Sequence, residues 1–116
     1  MGVLVRHAIA VTSGRAHHNY LDDARDYAHS VGAQCTPIME TLVNNERTFF
    51  VCPDGSKESW GASYRGDEQR ELIVEYLRSV AYDDGSSPLS WAEFYYGSDF
   101  KDAGIVNHDG ELYNEK

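Results

Sequence analysis

Val3, Val5, His7, Ile9 and Val11 alternate with Leu4, Arg6, Ala8 and Ala10, a two-residue period that predicts a first strand, ended by Ser13-Gly14. From Ala16 the period changes. Tyr20, Leu21, Ala24, Tyr27, Ala28 and Val31 recur at helical spacing, and Gly32 stands where a C-terminal cap belongs. Asp22, Asp23 and Asp26 fall on the far side of that stripe, with Asp22 and Asp23 placed near the helix start, where its dipole favours them.

Cys35 to Val43 and Arg47 to Cys52 are β-prone runs separated by Asn44-Asn45-Glu46, and asparagine accepts the positive φ of a tight turn. An antiparallel hairpin follows. After a turn at Pro53-Asp54-Gly55, Lys57 to Trp60 reads as a short returning strand. Asp67 to Val80 predicts a second helix with Leu72, Ile73, Tyr76, Leu77 and Val80 on one side. Asp67, Glu68, Glu71 and Glu75 occupy about a 100° arc on the other. They form an acidic first turn, and Arg78 suits the opposite pole.

Asp83-Asp84-Gly85-Ser86-Ser87-Pro88 reads as a loop and Leu89 to Tyr96 as a strand, with Trp91, Glu93 and Tyr95 on one face and Ala92, Phe94 and Tyr96 on the other. A final hairpin is expected from Ala103-Gly104-Ile105-Val106 through Asn107 to Gly110 and on to Leu112-Tyr113, with Asn114 to Lys116 frayed. The order matches the split βαβ pattern of a ferredoxin-like α+β sandwich, an antiparallel sheet with two helices on one face. The whole of residues 1–116 reads as one such domain. That fold hosts enzymes, nucleic-acid binders and interaction modules, so it carries no function by itself.

Charge narrows the choice of partner. Nineteen Asp and Glu against ten Lys and Arg leave a formal net charge of −9, spread along the chain. Such a surface repels nucleic-acid phosphates and anionic membranes and attracts a basic protein surface, although acidic charge also keeps a small domain soluble. No window approaches the ~20 apolar residues of a membrane span. The start Met1-Gly2-Val3-Leu4-Val5-Arg6-His7 has neither a signal-peptide pattern nor a myristoylation site, so a cytoplasmic location is expected.

Candidate chemistry is sparse. Cys35 and Cys52 are too few for a disulfide framework or a zinc site without histidine help, and the hairpin places them as diagonal neighbours, which favours reduced thiols. His17 and His18 diverge on a helix, and His18 and His29 lie three turns apart. Only distant combinations such as His17 with Asp22 or His108 with Asp109 could share an ion, and no metal or cofactor is expected. No Gly-x-Ser-x-Gly elbow, Walker loop or dinucleotide fingerprint occurs, so no catalytic residue is assigned.

Trp91, Phe94, Tyr95, Tyr96 and Phe100 cluster within ten residues beside Glu93 and Asp99. Aromatic rings of this kind are enriched at binding hot spots. The sequence therefore predicts a binding module whose partner site comprises Asp67, Glu68, Glu71 and Glu75, then Asp83 and Asp84, then Trp91, Glu93 and Tyr95. Its partner would be a basic surface, of the kind that binds nucleic acid, where carboxylates occupy the place of phosphates. Small acidic inhibitors, including phage antagonists of bacterial defence and immunity proteins against nuclease toxins, resemble the chain in this compositional profile.

Two other readings stand beside it. One is a small enzyme or ligand-binding subunit with a pocket between sheet and helices, using His7, His17 or a carboxylate as acid or base. The other is self-association into a homodimer through the aromatic strand as an exposed sheet edge.

Overall fold

A computed structural model describes residues 5–53, 61–84, 86–97 and 103–109, with backbone alone for 61–63. The elements run β1 (Arg6–Ser13), a 3-10 turn (Arg15–His17), α1 (His18–Ser30), β2 (Met39–Glu40), β3 (Arg47–Val51), α2 (Gly61–Ser79), β4 (Leu89–Tyr96) and β5 (Gly104–His108). Among the described residues they form one α+β domain.

The five strands make one sheet in the order β2-β3-β1-β4-β5, with every neighbouring pair antiparallel. Strand β3 therefore lies between β1 and β2, which run parallel to each other on either side of it, and α1 makes their crossover. By the same logic β1 lies between β3 and β4, joined through α2. These are two split βαβ units, the expected ferredoxin-like order, with β5 added at the outer edge of β4.

Register fixes the two faces. Ile9 pairs with Val51 and Glu93, and Val11 with Phe49 and Trp91, so these side chains point to one side. There they meet Leu21, Ala24 and Ala28 of α1 and Ile73, Val74 and Leu77 of α2 in the hydrophobic core. Tyr27 and Tyr76 join the two helices by stacking, with centroids 4.6 Å apart. The opposite face carries Arg6, Ala8, Ala10 and Thr12 of β1, Thr48 and Phe50 of β3, and Ser90, Ala92, Phe94 and Tyr96 of β4. On β5, Ile105 pairs with Phe94 and His108 with Ala92.

Several boundaries differ from the sequence reading, each for a local reason. Helix α2 starts at Gly61, so no acidic residue occupies its first turn, and the first turn of α1 is equally free of acids. The carboxylates of both helices therefore sit on mid-helix faces and owe little to the dipole, which acts over the terminal turns. Strand β2 is cut to Met39–Glu40 plus an isolated bridge from Cys35 to Val51. Between them Thr36 satisfies Phe50 through its hydroxyl, which accepts from Phe50 N at 2.9 Å, and Pro37 has no N–H to continue the ladder.

The hairpin turn falls at Asn44 and Asn45, with φ of 66° and 55°. At the other end, Asn107 and His108 belong to a strand that pairs with β4 rather than to the turn of a terminal hairpin. The edge of β4 offers unpaired backbone groups that the segment satisfies. Val3 and Leu4, Lys57 to Trp60, Asp99 and Phe100, Leu112-Tyr113 and Asn114 to Lys116 lie outside the described residues.

Candidate functional site

Helix α2 gives one stripe to the core, at Gly66, Arg70, Ile73, Val74 and Leu77, and turns Asp67, Glu68, Glu71 and Glu75 to solvent. On α1, Asp22, Asp23 and Asp26 are exposed as well, and Asp83 and Asp84 continue the acidic surface beyond α2. Nine carboxylates are thus exposed on the two helices and the loop that leaves α2, with Asp22 and Asp26 beside Pro37 and Ile38 on one flank and Asp67, Glu71 and Glu75 beside Glu93 and Asn107 on the other. Two large apolar groups stand among them, Tyr64 at 64% exposure and Leu72 at 40%. Leu72 precedes Ile73 by about 100° around the helix, and the stripe centred on Ile73 leaves it outside the core.

The loop end is ordered by a local motif. Asp84 Oδ1 accepts from Ser86 Oγ at 2.6 Å and from Ser86 N at 2.9 Å. These bonds favour the ionised carboxylate, the hydroxyl first, and hold its pKa below the ordinary value. On the helix layer, burial raises the pKa of the Tyr76 phenol and the nearby Asp23 carboxylate raises it further.

A cleft of about 260 Å³ opens between α2 and the sheet, lined by His7, Asp67, Arg70, Glu71, Glu75, Arg78, Glu93 and Asn107 among others. Its floor is a polar network within the core. Arg70, 5% exposed, pairs with Asp67 at 2.5 Å and approaches Glu93 Oε2 at 3.9 Å. Asn107 Nδ2 donates to Glu93 Oε1 at 2.6 Å, while Asn107 Oδ1 accepts from Arg78 at 2.5 Å. This network ties α2, β4 and β5 together. Among the described residues no group of histidine, cysteine and carboxylate side chains could hold a metal ion.

The structure separates the nine residues expected in the partner site. Asp67, Glu68, Glu71 and Glu75 are exposed on α2, and Asp83 and Asp84 are exposed in the loop that follows it. Trp91 and Glu93 do not join them, because β4 alternation turns both beneath the helices, at 4% and 8% exposure. Tyr95 is half-buried beside His7, with ring centroids 6.1 Å apart. The aromatics of β4 that face away from the helices are Phe94 and Tyr96, on the opposite side of the sheet from α2.

Sequence reasoning assigned no role to Arg70, although a signal was present. An arginine at the centre of the apolar stripe of one helix and a glutamate in the apolar alternation of β4 announce a buried pair between two core faces. The cysteines are free. Burial raises the pKa of Cys35, Arg25 partly offsets this, and Cys52 adds to it.

No protein-family model matches the chain, and a search of curated proteins finds no match. Among solved structures the chain is similar to the crystal structure of the adenylyl cyclase CyaB from P. aeruginosa, with 15% identity over 98% of this chain and 70% of that one. The TM-score of that match is 0.24, too low to bear on fold or function. No described helix is long and apolar enough to cross a membrane.

Proposed function

We propose that the protein is a binding module that uses its helix layer to dock on a basic surface of a partner protein. One observation carries this reading. All seven carboxylates of α1 and α2 are exposed, against two exposed arginines, Arg65 and Arg78, while Arg70 is buried in its pairs and Arg25 donates to Thr36 O at 2.8 Å. Their field speeds encounter with a cationic surface, and Tyr64 and Leu72 supply the apolar contact that charge alone lacks. A basic surface that otherwise holds nucleic acid is the natural target, since the carboxylates would stand where phosphates stand. Inhibition of such a protein follows from occupancy, without catalysis.

The test compares the native chain with Glu71→Lys/Glu75→Lys as baits in the same lysate, eluted in steps of salt. A basic protein retained by the native chain, released by moderate salt and absent from the variant supports the reading. Equal retention by both baits removes α2 from the interface and overturns it.

A further inference from the structure

Resting on the docking reading above, we infer that the cleft between α2 and the sheet is the socket for one arginine side chain of the basic partner, held between Glu93 on its floor and the α2 carboxylates at its rim. The decisive group is Glu93. It is 8% exposed and lines the cleft, and Asn107 Nδ2 donates to its Oε1 at 2.6 Å. Its other oxygen, Oε2, accepts no hydrogen bond among the described residues, because its ion-pair partner Arg70 Nε stands 3.9 Å away, beyond hydrogen-bond reach. A carboxylate oxygen buried to this depth is ordinarily bonded. Water entering the cleft would satisfy its lone pairs, whereas a cationic N–H donor satisfies the charge as well.

Charge selects the ligand. Asp67, Glu71 and Glu75 recur every fourth residue along α2 and wall the cleft, whereas Glu68 takes no part in its lining. With Glu93 they make four carboxylates, against Arg70, Arg78 and the ring of His7. Arg70 is already engaged by Asp67, and Arg78 by Asn107 Oδ1, each at 2.5 Å. The balance favours a cation over an anion. Among the described residues no group of side chains could hold a metal ion, so the cation is an organic one.

Shape narrows it further. The cleft, of about 260 Å³, is roomy enough for a single side chain, and Val74 gives an apolar wall along which a methylene stem can lie. A guanidinium is planar and carries five donors, so it can bond Glu93 Oε2 and a rim carboxylate together, which the point charge of an ammonium does less well. The socket opens among the exposed carboxylates of α2, within the surface that would meet the partner, and buried arginines are frequent hot spots of such interfaces.

Titration of the native chain with an end-blocked Gly-Arg-Gly peptide, followed by amide and methyl NMR, should give saturable shifts at Val74, Glu93 and the Asn107 side chain, with a dissociation constant in the millimolar range. The citrulline analogue, equal in shape and uncharged, should give none. Glu93→Gln should weaken the peptide by about tenfold or more, since it removes a buried charge-assisted bond. Because that variant also disturbs the Arg70 pair, Glu71→Gln/Glu75→Gln at the exposed rim gives a second reading and should weaken the peptide several-fold. Glu40→Gln/Glu46→Gln in the β2–β3 hairpin, an equal loss of charge away from the cleft, should leave binding unchanged.

A cleft without saturable shifts, shifts as large at Asp22, Asp23 and Asp26 as in the cleft, or binding that survives both the Glu93 and the rim variants overturns the inference. Binding of putrescine without binding of the peptide overturns it too, and assigns the cleft to a free diamine. The lysate experiment keeps the two readings apart. A basic protein retained by the native chain and lost from Glu71→Lys/Glu75→Lys, beside a cleft that ignores the peptide, removes the socket and leaves the docking reading standing. Equal retention by both baits overturns the docking reading whatever the peptide does.

Discussion

Arg70 and Glu93 meet inside the helix–sheet interface, Nε of one 3.9 Å from Oε2 of the other, with both side chains at most 10% exposed. Each occupies a position that periodicity reserves for an apolar residue. Removing one member of a buried pair leaves the other charge desolvated, which costs about 3 kcal/mol or more, whereas replacing both by apolar groups of similar volume is close to neutral. Arg70→Met should therefore lose about 3 kcal/mol in urea unfolding, and Arg70→Met/Glu93→Leu should return to within about 1 kcal/mol of the native chain. A double variant as unstable as the single one would show that the cost lies elsewhere than in the stranded charge.

Gly32 ends α1 with φ of +91°, and a Cβ there would lie 3.1 Å from Gln69 Nε2 of α2. Conformation and space both oppose a side chain. Gly32→Ala should cost about 1 kcal/mol, read as a lower midpoint of thermal unfolding. An unchanged midpoint would mean that the turn relaxes out of the left-handed region at no cost.

Burial and then Asp23 raise the pKa of the Tyr76 phenol. In the unfolded chain the phenol ionises near its ordinary value of 10, so the native state holds the proton longer. The stability this represents is complete below pH 10 and declines as pH rises through the higher native value. Absorbance titration at 295 nm should show one tyrosine ionising late, and Tyr76→Phe should remove that step. Asp23→Asn should move it toward lower pH, and a step unmoved by this change would exclude the carboxylate as a cause.

Cys35 keeps its proton more tightly than a free thiol because burial outweighs the attraction of Arg25. In Cys52→Ser, reaction of the native protein with a disulfide reagent at pH 8 should be slower than reaction in urea by more than tenfold. Arg25→Met should slow the native reaction further, since it removes the positive charge that favours the thiolate. Faster labelling in that variant would point to opening of the loop that Arg25 ties to Thr36.

Much of the fold was legible because its signals are local. The period of two at Leu89–Tyr96, the helical stripe from Leu21 to Ala28 and the paired asparagines at the turn each depend on a few neighbouring residues, and each recurs in the structure. What was not legible depends on residues far apart. The shortening of β2 needs Thr36 to meet Phe50, and the docking of β5 on β4 competes with a local hairpin that the sequence favours. Of the site, the acidic surface could be read from helical spacing alone. Which aromatics of β4 face the helices could not, because alternation separates the two faces without telling them apart.

The position of β1 at the centre of the sheet has a consequence for how the protein is made. Its partners are β3 and β4, and Arg6 donates to the carbonyl of Gly97, 91 residues away. A growing chain that has released β1, α1 and β3 can close only one flank of that strand, leaving the backbone groups along the other without a ladder until β4 emerges. Synthesis at about 5–20 residues per second keeps that edge open for seconds. During this interval β1 is an apolar strand able to pair with any other strand in reach, so yield in the cell depends on what shields it before Leu89–Tyr96 arrives.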